Sequence, residues 1–327
     1  MKLLECVPNL SEGRDERKMQ LFADAIRSVK GVRLLHQDSG YAANRTVYTF
    51  AGDPESVIEA AYRLYSLAWN EIYMPLHQGT HPRQGAVDVC PLVPLQDMDL
   101  SEAKEWASLL AARIEKELGT PGYFYEANAT APERSNLAVL RKGEYEALPD
   151  KFHLLPPDFG DPNQWKRNGV TVLGARKLLI AYNVNLDTQD VSTAKAIAAR
   201  VRESGQLKTG ADGKKIREHG ALKAVKGIGW YIEDFKKVQV SYNLTDLSVN
   251  GMLEVFLRTR QEAEKAGCTV SGSELIGLAP LSEFEKVQHY LQSIHQADSL
   301  MDAIQFLGLH ELSPFDPEKK IIDLLMQ

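Results

Sequence analysis

The chain has 327 residues, enough for one large domain or two ordinary ones, with 44% hydrophobic and 25% charged residues. A net charge of -6 and a pI near 5.8 speak against a broad nucleic-acid-binding face, so any anionic ligand must be held by a local basic pocket. No run reaches the ~18 to 20 apolar residues of a membrane span. The opening "MKLLECVPNLSEGRDERK" turns charged where a signal peptide would reach its cleavage site, so we expect a cytoplasmic protein with neither nucleic-acid nor membrane partners.

In chain order, "LLECVPNL" reads as a short strand and "SEGRDERKMQLFADAIRS" as an acidic turn followed by a helix. "LLHQDSGYAANRTVYTF" holds the next strands, and "GDPESVIEAAYRLYSLA" a turn and a helix. A polar stretch, "PLHQGTHPRQGAVD", then feeds the apolar "VCPLVPL", which precedes another helix. The segment "LPDKFHLLPPDFGDPNQWKRNGVTVLGARK" is rich in Pro, Gly, Asp and Asn and reads as mostly irregular. After it, "LLIAYNVNLDTQDVSTAKAIAARVRES" repeats the opening pattern, with Asn185 and Leu186 standing where Asn9 and Leu10 stood. The basic "LKTGADGKKIREHGALKAVKGIGW" suggests a mobile loop. "VQVSYNLTDLSVNGMLEVFLRTRQEA" echoes the earlier strand, turn and helix, and "LIGLAPL" echoes "VCPLVPL". These echoes predict a duplicated α/β (α+β) protein made of two related ferredoxin-like sandwich subdomains, residues 1–178 and 179–327. No G-x-G-x-x-G follows the first strand and no P-loop is present, which argues against a nucleotide fold.

The residues able to do chemistry concentrate in "HQGTHPR". His77 and His81 stand four apart, but Gly79 between them and Pro82 after them oppose the helix that such a pair needs to chelate zinc, and no third ligand has a recognisable spacing, although Asp88 or Cys90 could be recruited. A solvated connector with idle histidines is the second reading. Acid/base catalysis is the third, with Arg83 offering a fork for a carboxylate and Asp38 able to orient an imidazole or, equally, to close its own turn. Cys6, Cys90 and Cys268 are an odd number at wide spacing and read as reduced thiols, Cys90 as a buried, inert one. Asn9, Asn185 and Asn243 follow strands in related positions. They either bond the backbone there or, if two sheets face each other, supply amides to a shared cavity.

"LLECVPNLSEGRD", "NRTVYTFAGDPESV", "HQGTHPRQGAVDVCPLVP", "RKGEYEAL", "PDFG", "GARKLLIAYNVNL", "LKAVKGIGWYIE", "QVSYNLTD" and "SELIGLAPL", in that order, resemble the glutamate formiminotransferase (formimidoyltransferase) family across essentially the whole chain. The resemblance implies transfer of a formimino group from N-formimino-L-glutamate to N5 of tetrahydrofolate in histidine degradation. It also implies a homodimer, no metal, and two sheets enclosing a folate tunnel. It further implies a stand-alone transferase without the cyclodeaminase domain fused to some relatives. It places the catalytic histidine of "GTHPR" on His81, with Asp38 beside it. Donor binding falls on Arg45, Arg83, His77, Asn9, Asn185 and Asn243. Folate binding falls on Gly160, Asp161, Pro162, Asn163, Gln164, Trp165, Lys166, Arg167, Asn168 and Gly169. Trp165 would stack on an aromatic ring of the folate, while Lys166 or Arg167 would meet its glutamyl tail. His36 and Ala43, which flank Asp38, depart from the family's usual residues, so a transferase using N-formylglutamate and a catalytically silent folate-binding paralogue remain as alternative expectations.

Overall fold

In the computed structural model, which describes residues 2–209, 214–233, 235–296 and 299–326, the first strand is broken at Val7 and Pro8, where proline has no N–H to give the ladder. The chain divides into two compact units, Met1–Lys177 and Leu178–Gln327.

The first unit runs β1 (Leu4–Cys6), β2 (Asn9–Leu10), α1 (Glu16–Arg27), β3 (Val32–Gly40), β4 (Arg45–Gly52), α2 (Pro54–Glu71), β5 (Val87–Pro94), α3 (Leu100–Leu118) and β6 (Gly122–Phe124). Three short helices, α4 (Leu137–Leu140), α5 (Leu148–Leu154) and α6 (Trp165–Asn168), precede β7 (Thr171–Ala175). Taking β1 and β2 as one broken strand, the sheet order is β3, β4, β1/β2, β5, β7, β6. The first four positions are antiparallel in the βαββαβ order of a ferredoxin-like sandwich, while β7 joins β5 and β6 in parallel. Aspartates start the three long helices: Asp15, Asp53 and Asp99 accept from the N–H of Lys18, Ser56 and Glu102, each cap worth about 0.5–2 kcal/mol. Phe22 and Ile26 of α1, Val57 and Leu64 of α2 and Leu110 of α3 share one core with Leu4, Leu10, Tyr48, Phe50 and Leu92 of the sheet. The widely spaced Cys6 and Cys90 meet in that core with sulfurs 3.5 Å apart, and burial pushes the Cys6 thiol up.

The second unit runs β8 (Ile180–Leu186), α7 (Val191–Val201), β9 (Gln206–Thr209), β10 (Lys215–Glu218), β11 (Val225–Ile232), β12 (Lys237–Leu244), α8 (Met252–Lys265) and β13 (Val270–Ile276), closing with α9 (Leu281–Ser293), α10 (Leu300–Phe306), α11 (Pro317–Lys320) and α12 (Ile322–Leu325). Its sheet, β11-β12-β8-β13, is antiparallel throughout and repeats the βαββαβ order. The duplicated sandwich read from the sequence is therefore present, with β6 and β7 as an addition to the first copy. The basic segment expected to be a loop is in part a hairpin: β9 and β10 pair from Lys215 opposite Thr209 to Glu218 opposite Gln206. Residues 210–213 of that segment lie outside the described residues.

Candidate active site

The polar loop between α2 and β5 is tied down along its length. His77 is buried, and its two ring nitrogens are both used: Nε2 lies 2.8 Å from the carbonyl of Asn44, which fixes Nε2 as the donor, and Nδ1 accepts from Arg83 Nε at 3.4 Å. Asn44, in a turn at φ 48°, also donates from Nδ2 to the carbonyl of Gln78, and the Thr80 N–H donates to the Ala42 carbonyl. The turn between β3 and β4 thus clamps the loop. Both ring nitrogens of His77 are engaged within the fold.

Arg83 is also spent within the fold. Its Nη1 and Nη2 form a two-point fork on Glu146 at 2.8 and 2.7 Å, Nη1 reaches Glu144 at 3.2 Å, and Nη2 donates to the His77 carbonyl. The expected free fork for a substrate carboxylate is therefore not present at Arg83, because the "RKGEYEAL" segment supplies its carboxylates.

His81 is arranged differently. It is half-buried, and its Nδ1 sits 2.7 Å from the carbonyl of Pro82. A carbonyl only accepts, so Nδ1 carries the proton and Nε2 keeps a lone pair. Burial, then the Arg45 charge, then that of Arg141 lower the pKa of the imidazole, outweighing the opposite pulls of the Pro82 carbonyl and Asp88. Asp38 does not orient it. That carboxylate is exposed on β3, opposite Val47, and no hydrogen bond or ion pair joins it to His81 among the described residues. The Pro82 carbonyl, one residue away, holds the tautomer in its place.

The carboxylate beside His81 is Asp88. A bulge puts it there: Asn9 lies opposite Val89 and Leu10 opposite Val87, which leaves Asp88 unopposed. Fully buried, Asp88 accepts from Arg45 Nη1 and Arg141 Nη2, both at 2.7 Å on Oδ2, and from the Gln84 N–H at 2.8 Å on Oδ1. Burial alone would raise its pKa, but the two guanidiniums hold it below the ordinary range. Arg45 places Nε and Nη2 on Asn9 Oδ1, at 3.1 and 2.9 Å, and Asn9 donates to the Val7 carbonyl. Asn9 acts on the Asp88 cluster through Arg45. Lys151 reaches Gln84 Oε1 at 3.1 Å and the Leu140 carbonyl; burial lowers its pKa to about 8 against the opposing pull of Asp88.

Residues 160–169 lie beside this cluster. Gly85 and Gly169 form a bridge, with the Ala86 N–H donating to the Asn168 carbonyl and Val170 N–H to that of Gln84. The approach needs both glycines, since a Cβ on Gly85 would come within 2.3 Å of Val170 O, and one on Gly169, at φ +72°, within 2.0 Å of Gln84 O. Gly160, also at positive φ, donates to Glu115; Asp161 caps the turn Pro162–Gln164 through the Asn163 N–H, and Gln164 rests on Gly119. Trp165 packs on Tyr145 with ring centroids 5.3 Å apart, and the Tyr145 hydroxyl donates to the Lys166 carbonyl. The Lys166 side chain is exposed. Arg167, expected at a glutamyl tail, spends Nε and Nη2 on the carbonyls of Trp69 and Asn70 at the end of α2. Buried Asn168 donates to those of Ala68, Trp69 and Ile72.

In the second unit Asn185 is buried, giving Nδ2 to Glu311 at 2.6 Å and accepting from Gln239 at 2.7 Å, while Asn243 is exposed on β12. Neither the structural duty of Arg83 nor the Asp88 cluster was identified in the sequence. Their traces there were Asp88, named only as a metal ligand that could be recruited, and "RKGEYEAL", singled out as a motif without a role.

Residues 3–176 match the family description "Formiminotransferase domain, N-terminal subdomain" and residues 181–327 match "Formiminotransferase domain". The chain belongs to the formiminotransferase family. It is 40% identical to the glutamate formimidoyltransferase of Streptococcus pyogenes serotype M1, over 91% of this chain and 95% of that protein. It is 37% identical to that of Thermoplasma acidophilum, over 89% and 93%. The formimidoyltransferase-cyclodeaminase of Gallus gallus is 41% identical over the full chain, which spans only 60% of that longer protein. For a formiminotransferase-family chain, the half-buried His81 and its guanidinium neighbours are the candidate reaction centre.

Proposed function

We propose that this protein transfers the formimino group of N-formimino-L-glutamate to N5 of tetrahydrofolate, releasing glutamate. The observation that carries this reading is the state of His81: Nδ1–H is fixed on a carbonyl, Nε2 is left with a lone pair, and burial and the Arg45 charge favour the neutral ring. That is the state a general base needs. His81 Nε2 would take the proton that N5 sheds on attacking the formimino carbon and return it to the departing glutamate nitrogen, a contribution of roughly 10² to 10⁴ in rate. The positive excess of Arg45 and Arg141 over Asp88 suits an acidic amino-acid donor. Residues 160–169, with Trp165 at their centre, are the proposed folate segment, bound to the histidine loop through Gly85 and Gly169. The family resemblance extends the proposal to a cytoplasmic homodimer.

The test offers the purified protein tetrahydrofolate with N-formimino-L-glutamate or N-formyl-L-glutamate and follows the folate spectrum. Turnover is expected with the formimino donor. It should fall at least about 10²-fold in His81→Ala while folate binding persists. Preference for the formyl donor, or undiminished turnover in the variant, would overturn the reading.

A further inference from the structure

Two buried donors in the Asp88 cluster find no acceptor among the described residues. Gln84 is fully buried, yet its Nε2 has no hydrogen-bond partner, and neither does the buried Nε of Arg141. Unpaired buried donors are rare in native folds and call for an explanation, of which an anion that accepts from them is one. Charge points the same way: two guanidiniums share the single carboxylate of Asp88, whose oxygens already receive three hydrogen bonds, so the cluster keeps a positive excess that Asp88 cannot absorb.

The arginines of this region differ in what they have left. Arg83 has committed Nε, Nη1 and Nη2 to Glu144, Glu146 and His77, and Arg45 has committed the same three nitrogens to Asn9 and Asp88. Among the described residues the Arg141 guanidinium is hydrogen-bonded only through Nη2, and its charge is felt at the His81 ring. We propose that Arg141 is the receptor for a carboxylate of the amino-acid donor, with Gln84 Nε2 as a second donor and Asp88 as the positioning residue that holds Arg141 beside Arg45. The planar guanidinium suits a carboxylate's two oxygens, which an ammonium cannot match. This inference rests on the reaction proposed above and names its donor subsite.

The test is calorimetric titration of the full chain with L-glutamate and, separately, with 5-formyl-tetrahydrofolate. Arg141→Met should weaken L-glutamate binding by about 10- to 100-fold, the range for a hydrogen bond to a charged group, and leave the folate affinity unchanged. Arg141→Lys should fall between, since it keeps the charge and loses the fork, and it decides the matter if the Met variant does not fold. Asp88→Asn should weaken L-glutamate binding with Arg141 still present. Wild-type protein that does not bind L-glutamate, variants that bind it unchanged, or equal losses for both ligands would overturn the proposal. Wild-type protein that binds L-glutamate but transfers no formimino group would sink the reaction and leave the receptor standing.

Discussion

His77 and His81 are four residues apart and chemically identical, yet the fold gives them different hydrogen-bond environments. His77 has both nitrogens in hydrogen bonds and cannot exchange protons without breaking one. His81 has one nitrogen fixed and the other left with its lone pair. The electrostatics make a testable statement about pH. Burial and the Arg45 charge disfavour the imidazolium, so the folded pKa of His81 lies below the ordinary value of about 6.5. The base form is the neutral one, so kcat/KM should rise with pH, its acid-limb midpoint below about 6.5. Removing a nearby positive charge, as in Arg45→Met, takes away a lowering influence and should move that midpoint upward. A pH–rate profile over roughly pH 5 to 8 reads both. A midpoint above the ordinary value in the wild type would contradict the assignment.

Elements meet at this site through loops as well as through the sheet strands that carry Asn9, Arg45 and Asp88. The histidine loop, the segment after α4 and residues 160–169 are joined by Arg83 to Glu146, Arg141 to Asp88, Tyr145 to Lys166, and Gly85 to Gly169. Asn168 is the anchor of the last of these segments, with Nδ2 serving three carbonyls at the end of α2. Asn168→Ala would take a donor from all three carbonyls, although Ala68 O keeps the Ile72 N–H and Trp69 O keeps Arg167 Nε, and should cost about 1–3 kcal/mol, read as a lower denaturation midpoint. A folate affinity reduced along with stability is expected, since the same side chain docks the proposed folate segment; a stability change within about 0.5 kcal/mol would deny Asn168 the anchoring role. The sequence displayed some of this and hid the rest for a physical reason. Glycines, prolines and histidines mark the loop itself, because they act on local backbone. Arg141 and Asp88 are 53 positions apart and Arg83 and Glu146 are 63 apart, so no local pattern links them. Asp88 in particular sits in an apolar strand and reaches the site only because a bulge turns it there.

Across the whole molecule the repeated βαββαβ order was legible, because strand alternation and helical periodicity recur in both halves with aspartates at the helix starts: Asp15, Asp53 and Asp190 each cap a helix. The parallel extension by β6 and β7 was not, since those strands have only 3 and 5 residues and lie among turn-forming residues that read as irregular chain. Each unit carries its own core, that of the first drawn from residues 4–175 and that of the second from residues 180–321. Such cores need not melt together. Phe284 is fully buried in the second, against Phe315 at 5.9 Å between ring centroids. Phe284→Ala should cost about 3–5 kcal/mol through lost burial and the cavity left behind. In a unit of this size that lowers its melting by roughly 10 °C. Scanning calorimetry of the variant should then show two transitions, the lower one belonging to the second unit and the upper one close to the wild-type position. A single transition displaced as a whole would mean that the two copies of the sandwich, despite separate cores, unfold as one cooperative body.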